Sequence, residues 1–167
     1  MEIINQNNRL LVVGGTGFIG SHVVNEALKQ NFIVTILSKN EVNCFQRIKG
    51  VTYLTADVTY KPNLLVQLSN KIFNYVINLG GYIDHSNLSN GGKEIYDSHF
   101  IGLKNLVECL DIAHLNSFVQ IGSSDEYGNN IAPQNESQKE DPITPYSNAK
   151  VSSTHFLQSL YQTKNFP

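Results

Sequence analysis

The sequence is poor in cysteine, in net charge and in long apolar runs, and each scarcity removes a class of protein. Cys44 and Cys109 are its 2 cysteines in 167 residues. They stand far apart and form no Cys-x-x-Cys pair, which argues against a disulfide framework and against a zinc site, so no metal is expected. The formal net charge is −2 and the pI is near 6.2, with no run of Lys or Arg to make a basic patch. Nucleic acid is therefore not an expected partner. No apolar stretch approaches the ~20 residues of a membrane-spanning helix. Residues 1–9 are polar, with Glu2 where a secretory leader would carry a basic residue. The expectation is a cytoplasmic protein, without membrane partners and with reduced thiols.

What remains is a composition of 41% apolar and 16% charged residues, enough for one cored domain over residues 1–167 and too little chain for two. Short aliphatic runs at residues 10–13, 32–37, 51–54, 75–79 and 117–121 read as strands buried on both faces. Between them, Ile19, Val23, Val24, Ala27 and Leu28 recur with helical period, as do Leu103, Leu106, Val107, Leu110 and Ala113 or His114. Pro62 suits the first turn of a helix through Leu64, Leu65 and Leu68. Residues 122–145, rich in Gly, Asn, Pro and acid, read as a loop before a last helix over residues 146–162. This alternation predicts an α/β chain, a Rossmann-type doubly wound parallel sheet of about five strands with helices on both faces.

The strongest local signal is Gly14-Gly15-Thr16-Gly17-Phe18-Ile19-Gly20, directly after the first strand. A tight turn at Gly14, a close backbone approach at Gly17 and a close helix–strand contact at Gly20 suit a dinucleotide pyrophosphate seated on a helix N-terminus. A dinucleotide fold that uses NAD usually carries an acid after the second strand. Here Ser38-Lys39 stands in its place, able to hydrogen-bond and neutralise a 2′-phosphate, so NADP is favoured and NAD possible. Asp57-Val58, after the third strand, is placed to receive an adenine amino group. Leu79-Gly80-Gly81, after the fourth, leaves room at a sheet edge where ligands of such folds lie.

Tyr146 and Lys150 are one helical turn apart, hence on one face of the last helix. An ammonium beside a phenol favours the phenolate, which makes a general acid/base for a carbinol or carbonyl oxygen. Ser123, just past the fifth strand, could donate to the same oxygen. The glycine turn, the serine and the Tyr/Lys pair occur in the chain order that a single active site requires.

Together the segments GGTGFIG, SSDEYG and PITPYSNAK resemble the extended short-chain dehydrogenase/reductase family, which includes nucleotide-sugar epimerases, dehydratases and 4-keto reductases. The resemblance implies an NAD(P)-dependent enzyme acting on a nucleotide-sugar. It implies Tyr146 as acid/base, Lys150 also on the nicotinamide ribose, Ser123 on the reacting sugar oxygen, and Gly14, Gly17 and Gly20 around the pyrophosphate. Two positions depart from the family pattern. His99 stands where an asparagine is common, as either a hydrogen-bonding substitute or a packing residue. Ser124-Asp125 lies between the acidic pair of dehydratases and the small residues of epimerases, and a solvent-facing role for Asp125 and Glu126 stays open. Family members also continue into a sixth strand and a substrate-binding portion, and many dimerise through helices like those at residues 103–113 and 151–161. The expectation is thus a dinucleotide-binding part that stops before that portion, turns over poorly alone, and could form a homodimer. The alternative is a non-catalytic dinucleotide-binding module or sensor.

Overall fold

The computed structural model describes residues 8–82 and 90–167. In chain order the elements are β1 (Arg9–Val13), α1 (Phe18–Lys29), β2 (Ile33–Ser38), β3 (Thr52–Thr55), α2 (Lys61–Leu68), β4 (Tyr75–Asn78), α3 (Gly92–Tyr96), α4 (Gly102–Cys109), β5 (Ser117–Gln120) and α5 (Pro145–Lys164). A π-helical segment, Asp97–Ile101, joins α3 to α4. The five strands are parallel, in the order β3-β2-β1-β4-β5. Strand order reverses between β1 and β4, so a crevice opens at their carboxyl ends, the place where ligands of such sheets bind.

Both faces of the sheet are covered because both parities of the central strands are apolar. Leu10 and Val12 of β1 pack with Val34 and Ile36 of β2 beneath Val24 and Ala27 of α1. Leu11 and Val13 face the other way, into a larger core with Leu64 and Leu68 of α2, Leu106 of α4 and Phe166. Pro62 lies in the first turn of α2, where its missing N–H interrupts nothing.

Three details differ from the sequence reading. Ile19 is 56% exposed and α1 instead buries Gly20, Val24 and Ala27, because the first turn of the helix projects past the end of the sheet. The fourth apolar helix stops at Cys109; Leu110 is extended, and Ala113 and His114 sit in a separate 3₁₀ turn capped by Asp111. No residue of β5 is fully buried, and Val119 is 45% exposed, since β5 is the outer strand.

The last helix is fixed at each end. Thr144 and Ser147 cap its start reciprocally, with Ser147 N–H on Thr144 Oγ1 at 3.1 Å and Thr144 N–H on Ser147 Oγ at 2.9 Å. At its finish Asn165 is left-handed, the Phe166 ring lies 5.4 Å from that of Phe118, and Phe118 N–H donates to the Pro167 carbonyl at 3.0 Å.

Candidate functional site

The glycine segment folds into a turn and then a helix start. Gly14 has φ of +75°, its N–H donates to the Leu37 carbonyl at 2.9 Å, and its carbonyl accepts from Gly17 N–H at 3.0 Å. Gly17 precedes α1 and, among the described residues, no side chain caps the helix, whose first turn, Phe18, Ile19 and Gly20, borders the crevice. Two hollows of about 470 Å³ each run along the crevice and share Gly14, Gly17, Leu79, Gly80, Gly81 and Tyr82. Uncapped donors facing an elongated space of this size fit an extended, doubly charged ligand such as a dinucleotide.

One hollow ends at Ser38, Lys39, Asp57, Val58 and Thr59. The Lys39 ammonium pairs with the Asp57 carboxylate at 2.9 Å, bridging the ends of β2 and β3. Burial acts to raise the Asp57 carboxyl, but Lys39 and the donors of Thr59 outweigh it and hold the carboxyl below its usual value; Asp57 in turn raises Lys39. Ser38 Oγ donates to the Asn40 carbonyl at 2.9 Å. A polar side hollow of about 520 Å³ opens on the far side of Lys39, reaching Thr16, Ser21 and Asn40. Glu41 at its rim is countered by Arg47, 3.6 Å away.

The other hollow ends at His99, Gly122, Ser123, Tyr146 and Lys150, with Phe18, Ile19 and Gly20 at its mouth. Lys150 is 5% exposed. Its Nζ donates to the Ile121 carbonyl at 2.9 Å and lies 5.7 Å from the centre of the Tyr146 ring. Burial pulls the Lys150 ammonium below the usual lysine value, and Glu126 opposes that pull. Ser123 is half-buried; its Oγ accepts from Asp125 N–H at 3.2 Å, which leaves the hydroxyl hydrogen to be donated elsewhere. The His99 ring meets that of Tyr146 edge-on, with centres 5.0 Å apart. Its Nε2 lies 2.8 Å from the Tyr82 carbonyl, an acceptor, so Nε2 carries the hydrogen and the buried Nδ1 is an unpartnered acceptor.

The crevice therefore collects Gly14, Thr16, Gly17, Phe18, Ile19, Gly20, Ser38, Lys39, Asp57, Val58, Leu79, Gly80, Gly81, His99, Ser123, Tyr146 and Lys150. Ser124 and Asp125 line neither hollow. Two residues escaped the sequence reading. Tyr82 holds His99 through its carbonyl, and Glu126, whose solvent-facing reading stood open, is 6% exposed and bonded inward. His99 is buried and is hydrogen-bonded to the Tyr82 carbonyl.

A parallel sheet in this order, with a glycine turn at the reversal and an uncapped helix behind it, defines a Rossmann-type dinucleotide-binding fold. Residues 10–167 match the NAD dependent epimerase/dehydratase family, and the chain belongs to that family. It is 25% identical over 180 residues to dTDP-D-glucose 4,6-dehydratase of Dictyostelium discoideum, covering 95% of this chain and 42% of that protein. It is 27% identical over 170 residues to a bifunctional UDP-glucose 4-epimerase and UDP-xylose 4-epimerase of Arabidopsis thaliana, covering 94% and 47%. The chain thus spans somewhat under half the length of these two relatives. In fold it is similar to UDP-glucose 4-epimerase from Brucella ovis, solved in complex with NAD, with a TM-score of 0.82, 20% identity and coverage of 95% and 49%. Among the described residues no helix is long and apolar enough to cross a membrane.

Proposed function

We propose that the chain is the cofactor-binding part of an enzyme that moves hydride at a sugar carbon of a nucleotide-sugar, as a 4-keto reductase or a 4-epimerase. The observation that carries this reading is the meeting of Ser123, Tyr146 and Lys150 at one end of the crevice that the glycine turn borders. The names of the relatives, dTDP-D-glucose and UDP-glucose enzymes, support a nucleotide-sugar as substrate class.

A nicotinamide dinucleotide, when bound, supplies the hydride donor or acceptor. Gly14, Gly17 and Gly20 would hold its pyrophosphate, Asp57 would receive its adenine amino group, and Lys150 would hold its nicotinamide ribose. Tyr146 transfers the proton of the sugar hydroxyl, with the Lys150 ammonium 5.7 Å from the centre of its ring. Ser123 donates to the same oxygen and fixes the sugar's orientation. NADP is the preferred form in this reading: Ser38 and Lys39 border a polar hollow whose acidic member, Glu41, is already countered by Arg47.

Calorimetric titration of the chain with NAD(H) and with NADP(H) tests the cofactor half, and tighter binding of NADP(H) is the expected result. Binding of neither would remove the reading. Tyr146→Phe in a full-length version that carries a substrate-binding portion tests the catalytic half: cofactor affinity is retained while conversion of UDP- or dTDP-linked sugars is abolished. Conversion that survives the substitution would remove Tyr146 as the acid/base, and a protein that binds cofactor yet converts no sugar would leave only a dinucleotide-binding module.

A further inference from the structure

We propose that Glu126 is the positioning residue of this site, a buried carboxylate that fixes Ser123 and stands as counter-charge to Lys150. The inference rests on the reading of Ser123, Tyr146 and Lys150 as the reacting set. Its own support is a closed ring of bonds between the end of β5 and α5. Lys150 Nζ donates to the Ile121 carbonyl at 2.9 Å. Ser123 N–H donates to Glu126 Oε1 at 2.8 Å, and Thr154 Oγ1 donates to Glu126 Oε2 at 2.9 Å. Thr154 and Lys150 are one turn apart on α5, so Glu126 grips the same helix face that carries the ammonium.

A carboxylate that is 6% exposed needs donors, which Ser123 N–H and Thr154 Oγ1 supply, and its charge opposes the downward pull of burial on the Lys150 ammonium. The ring also passes close to Gly122, where an added Cβ would stand 2.9 Å from Glu126 Oε1. Glu126 N–H closes the same turn on the Ser123 carbonyl at 3.1 Å, and Glu126 O accepts from Asp141 N–H at 2.9 Å, tying the loop that leads into α5. One side chain therefore holds the backbone that carries the Ser123 hydroxyl and offsets part of the burial that lowers the lysine. Among the described residues, the titratable groups that face the ammonium are Glu126 from the turn after β5, His99 from the π-helical segment and Tyr146 from its own helix.

The test is Glu126→Gln, which keeps shape and an acceptor oxygen while removing the charge, beside Glu126→Ala, which removes both. The readouts are the Lys150 side-chain NMR titration and hydrogen exchange at the Ser123 amide. In both variants the Lys150 midpoint moves further below wild type. Ser123 exchange stays slow in Glu126→Gln and becomes fast in Glu126→Ala. A Lys150 midpoint unchanged by Glu126→Gln would overturn the proposal, as would slow Ser123 exchange in Glu126→Ala. Should Glu126→Gln fail to fold alone, adding Lys150→Met restores folding if the two charges are coupled, and a double variant that stays unfolded overturns the pairing. Wild-type protein that binds no dinucleotide would instead fail the functional reading, a result the NMR titration does not depend on.

Discussion

Replacing Gly20 with alanine probes the fold and the crevice in one experiment. A Cβ on Gly20 would lie 2.3 Å from the Gly14 carbonyl oxygen and 2.6 Å from the Gly15 Cα. Both are backbone atoms of a turn held to Leu37 and to Gly17 by hydrogen bonds, so neither can rotate aside. Relief requires α1 to lift from the sheet against the packing of Val24 and Ala27. Overpacking of this kind costs roughly 1–3 kcal/mol, and contact with backbone puts this case at about 3 kcal/mol. Alanine in the first turn of a helix returns at most about 1 kcal/mol through its better helix propensity. The net loss is about 2 kcal/mol, and a chain of this size loses roughly 2–4 °C of Tm per kcal/mol, so Tm falls by about 4–8 °C in a calorimetric scan. Dinucleotide affinity falls as well, because the displaced turn carries the uncapped donors. A Gly20→Ala protein with wild-type Tm would show that α1 does not need this contact, and wild-type affinity would show that the crevice does not depend on it.

Two further outcomes follow from the groups at either end of the crevice. Lys39→Ala weakens NADP(H) binding by about tenfold or more, the worth of a charge-assisted hydrogen bond of roughly 1.5–3 kcal/mol, and leaves NAD(H) nearly unaffected in the same titration. Equal losses for the two cofactors would refute a 2′-phosphate role. His99 is held below the usual histidine value by burial, with Tyr82 opposing and Lys150 adding to the effect. The unfolded chain therefore takes up that proton first: stability is full above the unfolded value of about 6.5 and declines as pH falls toward the folded one. His99→Asn flattens the decline of Tm between about pH 7 and pH 5, and parallel profiles for the two proteins would sink this account.

The five strands were legible because a sheet covered on both faces leaves β-branched and aliphatic runs with few interruptions, as Leu10–Leu11–Val12–Val13 illustrates. The glycine turn and the Tyr146/Lys150 pair were legible because each is local, one turn of chain or one turn of helix. What stayed hidden depends on distance. Lys39 and Asp57 meet only once β2 and β3 are paired, and nothing in either segment announces the ion pair. A solvated reading of Glu126 stays open in the sequence because glutamate is rarely buried without a partner, and its partner Thr154 lies far along the chain on α5. Ile19 obeys the helical period yet faces outward, since period tells which side of α1 is apolar and not how far the sheet extends beneath it.

The clamped ends of α5 give it the mechanics of a beam supported at both ends as well as along its length, where Glu126 holds Thr154. At about 1.5 Å per residue its 20 residues span roughly 30 Å, from the Thr144–Ser147 cap to Asn165 and Phe166. Tyr146 and Lys150 sit near the first support; the second is Phe166, seated against Phe118 of the outermost strand. A rod held at one end would let its phenol and ammonium wander with every tilt of the helix. Held at both, the tilt depends in part on a phenylalanine more than four turns away, and loosening that distant seat would change the angle at which the phenol enters the crevice.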